Sequence, residues 1–300
     1  MSKTTSTRKK RSTRSKAKRP AGRFNRFFRS LLASATLSFT AASCILNPQL
    51  REQLPLEPVL TQLGMADQEP EAPQIRATGP QVQTNFGQCR QHFPGGRPPV
   101  VPASQKLREL CFDTFAILHN GRTKTPVFVA ERLNRNLLMQ GQGLERTDRF
   151  YPEARLPAAE RAELDDYRGS GYARGHMAPA GDMYTTNAMA QSFSLANMVP
   201  QDMRQNSGPW NKIEQDTRKY IMRAKGDVYV FTGPVYTANS PTIGAGRVAV
   251  PTYLFKVIYD ATTGRSWVHW LANDHNARAG KPISYEEFAA KTGLRIFALN

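Results

Sequence analysis

Residues Arg168–Asp182 read RGSGYARGHMAPAGD, and the meaning of the rest of the chain turns on this stretch. Its four glycines make it too irregular for a long helix. His176 follows Arg174 by two residues. An imidazole can take a proton near neutral pH, while a guanidinium can hold an anionic group or a developing negative charge. The pair alone is a weak signal, because a lone histidine in a glycine-rich loop is more often structural.

Downstream, Asn197–Gln201 (NMVPQ) leads into Asn206 and then Pro209-Trp210-Asn211. Glu214 and Arg218 follow four residues apart, on one face of an expected helix over 211–225, where they could pair with each other. As an exposed ion pair they would contribute under about 0.5 kcal/mol. Alternatively, Asn206 and Glu214 offer an amide oxygen and a carboxylate to a hard cation. Mg²⁺ accepts such a set because it prefers oxygen and retains several waters.

Taken in order, DDYRGSGYARGHMAPAGDM (165–183), FSLANMVPQ (193–201), QNSGPWNKIE (205–214), VYVFTGPVY (228–236) and VAVPTYLFKVI (248–258) form a recognisable series. With these segments and gaps, residues from about 85 to 299 resemble the sugar-nonspecific DNA/RNA endonucleases, a family that includes secreted bacterial nucleases and mitochondrial endonuclease G. The resemblance implies an α+β fold with a ββα-metal (His-Me finger) motif set on a central, mainly antiparallel sheet flanked by helices. It implies that His176 is the general base and Asn206 the direct protein ligand of a catalytic Mg²⁺, with Mn²⁺ or another divalent cation as alternatives. Glu214 would orient water on that metal. Arg174 and Arg218 would contact phosphate or stabilise charge, together with an arginine further upstream, Arg146 or its rival Arg149. DNA and RNA are the implied substrates, cut without sequence preference to leave 5′-phosphate ends.

One position departs from the family pattern, in which an Asp usually precedes Arg-Gly-His; here it is Ala173. The missing carboxylate would have positioned the loop or its arginine, and Asp165, Asp166 and Asp182 are candidates to compensate. A catalytically weakened nucleic-acid-binding relative is the alternative this substitution raises.

The chain has 300 residues and a formal charge of +17, which by itself suggests a nucleic-acid binder. Residues 1–30, however, hold 12 Lys/Arg and no acidic residue, so the remainder is only +5 (29 basic minus 24 acidic). Overall basicity is therefore poor evidence for a substrate. With 40% apolar and 22% charged residues, collagen-like and wholly disordered classes are excluded. The basic start and the short apolar stretch Leu31–Leu46 read as a targeting or anchor segment over 1–50. Ala41-Ala42-Ser43 offers a cleavage site and Cys44 a loose lipoprotein box. Export from a bacterial cytoplasm is the expectation, with membrane contact through 1–50 as a variant. Residues 51–84 read as a proline-rich linker, and 85–300 as the catalytic domain.

Within that domain, strands are expected at 112–118, 126–131, 227–232, 253–259 and 266–271, with a hairpin turn at Asn120-Gly121. A short helix is expected near 285–292, where Ser284 and Glu287 fit a capping box. Gly233-Pro234 reads as a strand-terminating turn. In an oxidising compartment Cys89 and Cys111 could pair; otherwise they are two buried thiols. His92, His119, His269 and His275 lack a zinc-binding constellation, and Trp210, Trp267 and Trp270 read as packing residues. A homodimer and an inhibitor protein are left open.

Overall fold

The computed structural model describes residues 80–297; the expected targeting segment, its membrane contact, Cys44 and nearly all of the linker lie outside them. The framework is a six-stranded antiparallel sheet in the order β12-β11-β8-β5-β4-β3. Its strands are β3 (Leu107–Cys111), β4 (Phe115–Asn120), β5 (Thr125–Leu133), β8 (Val228–Val235), β11 (Tyr253–Asp260) and β12 (Arg265–Ala272). Three two-stranded ladders surround it: β1 (Gln81–Gln83) with β2 (Val100–Pro102), β6 (Ala173–His176) with β7 (Met198–Gln201), and β9 (Thr242–Ile243) with β10 (Val248–Ala249). The fold is the expected α+β arrangement. β1 lies within the stretch read as linker.

Every residue of β8 is buried, because the strand pairs on both sides and is covered on both faces. Side chains alternate across a sheet, so the two faces have separate cores. One carries Ala116, Leu118, Phe128, Ala130, Phe231, Phe255 and Val257 against Phe86, Phe93 and Phe288. The other carries Ile117, Val129 and Leu254 against Trp210 and Ile213, continuing through Val230 and Ile258 against Ile221. The helices involved are α1 (Arg135–Gln140), α2 (Leu164–Tyr167), α3 (Thr186–Ser192), α4 (Met203–Gln205), α5 (Asn211–Ile221) and α6 (Tyr285–Thr292). Of these, α5 covers the second face and α6 the first.

Most sequence expectations land close to their elements. The 120–121 turn joins β4 to β5, and Ser284 Oγ accepts from the Glu287 amide at 3.1 Å to cap α6. The first expected strand is displaced: Phe112–Thr114 turns, with the Phe112 amide donating to the Phe115 carbonyl, so the run begins only at Phe115 as β4, and β3, which was not expected, precedes the turn. Asp113 at that turn is the local reason. Gly233-Pro234 does not end β8 but lies inside it. Pairing with β5 stops at Thr232, so the missing amide of Pro234 falls where only β11 is opposite. A Cβ on Gly233 would lie 2.5 Å from the Val127 carbonyl oxygen, so the close approach there requires glycine.

Cys89 and Cys111 form a disulfide that joins the irregular N-terminal segment to edge strand β3 across a separation of 22 residues. On the loop-entropy account, Cys111→Ser should lower unfolding free energy by about 3 kcal/mol. Urea denaturation of the oxidised protein and the variant checks this; equal midpoints would show that the bridge adds nothing to the fold.

Candidate active site

The site is assembled on β6, β7 and α5. His176 ends β6 opposite Met198, the first residue of β7. The loop beyond His176 is pinned by Asn197, whose buried side chain accepts from the Ala178 amide and donates to the Ala178 and Ser192 carbonyls, all at 2.9 Å. After β7, Asp202 caps α4 by accepting from the Arg204 and Gln205 amides. The chain then passes through one π turn, Asn206–Trp210, before α5 begins. Pro209 has no amide to donate, which favours the wider turn. The helical path therefore starts earlier than expected. It also stops at Ile221, where the Ala224 amide bonds both Tyr220 and Ile221 carbonyls.

These elements enclose a cleft of about 350 Å³ lined by Arg146, His176, Ala180, Gly181, Asn206, Ser207, Asn211, Glu214 and Arg218, among others. Five of the residues singled out in the sequence thus meet in one place: Arg146, His176, Asn206, Glu214 and Arg218. Arg174 and Arg149 do not line the cleft. Arg174 is exposed, with its guanidinium 4.0 Å over the Phe150 ring. Arg146 lies 5.0 Å over Phe193 and pairs with Asp148 at 2.6 Å.

His176 is wedged between Phe193, 5.0 Å away edge-to-face, and Phe150 at 5.7 Å. Its Nε2 is buried without a hydrogen-bond partner among the described residues. Burial lowers its pKa to about 3, and the Arg146 and Arg174 charges push the same way against Asp148. The ring is therefore neutral, the form a base requires. Glu214 is shifted in the opposite sense, up to about 7, first by burial. The Lys256 ammonium is the strongest charge opposing that rise, Asp182 adds to it, and Arg218 opposes it.

The expected Glu214–Arg218 pair is not formed. Arg218 Nη1 instead donates to Asp182 Oδ1 at 2.7 Å, and Asp182 is almost fully buried. A Cβ on Gly181 would lie 3.2 Å from that Nη1, so glycine lets the guanidinium lie flat against the loop. The other candidates to replace the carboxylate missing at Ala173 are also engaged elsewhere. Asp165 pairs with Arg168 at 2.9 Å in solvent. Asp166 accepts from the Glu163 and Gly246 amides.

The Asn206 side chain makes no hydrogen bond among the described residues, and it shares the cleft with the Glu214 carboxylate. An amide oxygen and a carboxylate, with room for water, suit a hard divalent cation. Nowhere among the described residues do three His, Cys, Asp or Glu side chains converge to replace that water. Sequence reasoning missed Asn197, Phe150, Phe193 and the role of Asp182. Asn197 and Phe193 lie within FSLANMVPQ, but nothing in their spacing marks a loop anchor or a ring contact.

The chain is similar to nuclease EXOG, mitochondrial, of Xenopus laevis, at 39% identity over 48% of this chain and 42% of that protein. It thus spans less than half of that relative. Endonuclease G, mitochondrial, of Bos taurus is 30% identical over 71% of this chain and 68% of its own length. A solved structure, described as the EndoG/EndoGI complex with a mechanism of EndoG inhibition, superposes with a TM-score of 0.59 at 24% identity, covering 71% and 91% of the two chains. The mitochondrial names of these relatives overturn the expectation of export from a bacterial cytoplasm. A start rich in Arg and Ser without acidic residues is also the composition of an organelle transit peptide, so it did not discriminate between the two. Residues 97–298 match the family described as DNA/RNA non-specific endonuclease, and the chain belongs to that family.

Proposed function

We propose that this protein is a divalent-metal-dependent, sequence-nonspecific endonuclease that hydrolyses phosphodiester bonds in DNA and RNA. The observation that carries the reading is the convergence of His176, Asn206, Glu214, Arg146 and Arg218 on one cleft. Family membership supports it. Asn206 would hold the metal directly and Glu214 would orient water on it, with Mg²⁺ the best match to oxygen ligands. The bound cation would supply stabilisation of charge on phosphorus and the leaving oxygen.

The remaining roles belong to the chain's own side chains. His176 takes the proton of the attacking water at Nδ1, because Nε2 is shut away from solvent. Its depressed basicity keeps it unprotonated throughout the neutral range. Arg218, fixed by Asp182, presents a directed positive charge to the phosphate, and Arg146 adds a second from the opposite loop. Contacts of this kind read phosphate and not base edges, which is consistent with cleavage without sequence preference. The products would carry 5′-phosphate ends.

Ala173 favours a second reading, a nucleic-acid-binding relative of low activity, because none of its three candidate replacements is free. Plasmid nicking and RNA degradation by the full chain, with Mg²⁺ or EDTA, decide between them. We expect metal-dependent cleavage of both polymers, reduced 10²–10⁴-fold by His176→Ala, and lost in Asn206→Ala. Binding without cleavage, recovered by Ala173→Asp, would favour the second reading.

The two shifted groups also predict how stability varies with pH. Glu214 holds its proton more tightly when folded (about 7) than when unfolded, so its ionisation costs stability as pH rises toward and past 7. In EDTA at pH 8, Glu214→Gln should be about 3 kcal/mol more stable than wild type, and the two should converge by pH 4. Urea titrations at both pH values test this; an unchanged difference would remove Glu214 as its source. His176 acts in the other direction: its contribution is present above the unfolded value and lost as pH falls toward 3.

A further inference from the structure

Beneath the cleft the sheet carries charge that takes no part in the proposed hydrolysis. Glu131 on β5, Thr232 on β8 and Lys256 on β11 are buried, at 0%, 0% and 1% exposure. Thr232 pairs with Lys256 on one side and with Val129 on the other, and Glu131 lies two residues along from Val129. Alternation places all three side chains on the face covered by α5. Lys256 Nζ donates to Thr232 Oγ1 at 2.7 Å and lies 5.7 Å over the ring of Trp210. Trp210 is itself fully buried, and in the chain it falls between Asn206 and Glu214, closing the π turn and opening α5.

A buried ammonium is costly, and an apolar side chain would fill the same space at lower cost. Pairing with Glu131 does not account for it. Both Glu131 carboxylate oxygens lack a partner among the described residues. Burial first, and the neighbouring Asp182 carboxylate second, push the Glu131 pKa well up against the pull of the Lys256 charge, and no ion-pair contact joins the two side chains. The ammonium's defined contacts are Thr232 and the face of Trp210, an attraction that strengthens away from water.

We infer that Lys256 is a positioning residue for the metal-holding pair: anchored by Thr232, its ammonium clamps Trp210 and so sets the placement of Asn206 and Glu214 on either side. The affinity of the cleft for a divalent cation then depends on a charge the cation never touches. This rests on the metal reading proposed above.

Calorimetric titration of Mn²⁺ into the full chain tests it without reference to turnover, with thermal unfolding in parallel. Lys256→Met should bind Mn²⁺ about tenfold more weakly with no fall in Tm, and kcat should drop while KM for DNA holds. Thr232→Val should move Mn²⁺ affinity the same way by a smaller factor, and it carries the test if Lys256→Met does not fold. Glu131→Gln should stay within about twofold of wild type, and Lys256→Met combined with Glu131→Gln should remain weak. Restored Mn²⁺ binding in that double variant would overturn the inference in favour of a structural ion pair. So would undiminished Mn²⁺ affinity in either Lys256→Met or Thr232→Val. If wild type takes up no Mn²⁺, the metal reading itself fails, and this inference with it.

Discussion

A sheet whose central strand is buried along both faces must be covered on each, and the cover on one face is what builds this site. Ile213 and Ile221 of α5 are held against that face by ordinary apolar packing. With the helix so fixed, Glu214 and Arg218 point toward the edge where β6 delivers His176. The π turn then places Asn206 beside them. The site's geometry follows from where an amphipathic helix must lie, and the polar residues exploit a position set by hydrophobic burial.

The same arrangement explains the opposed acid–base character of the two central groups. His176 sits among aromatic rings with two guanidinium groups nearby, and burial and like charge both disfavour its protonated form. Glu214 is likewise withdrawn from water, and for a carboxyl that withdrawal favours the neutral form. Desolvation thus moves a base and an acid in opposite directions within one cleft. Neighbouring positive charges, above all Lys256 buried beneath the cleft, limit the displacement of Glu214.

Much of this was legible in the sequence. Short apolar runs marked β5, β8, β11 and β12, and Asn120-Gly121 marked a hairpin, because both signals are local. The spacing of His176, Asn206 and Glu214 identified the residues that converge, through resemblance and not through any local rule. What escaped was decided by tertiary partners. Arg218 has a carboxylate four residues away on its own helix, yet it bonds Asp182, because a buried acceptor fixed on a facing loop holds the guanidinium better than an i,i+4 neighbour. Pro234 reads as a strand breaker until β5 is seen to stop short of it. The N-terminal segment misled for a different reason: charge and hydrophobicity describe several addresses equally well.

The capping of the sheet at its two ends bears on how the protein behaves when crowded. Along β3, the Glu109 carboxylate accepts the Asn85 and Phe86 amides, and the Cys89–Cys111 bridge ties the same segment down. At the opposite margin, Val268 of β12 exchanges both backbone hydrogen bonds with Ile283. Each outer ladder is thereby shortened or obstructed, which counters edge-to-edge association of sheets. Blunted edges let copies of the chain come close together without templating strand addition between neighbours.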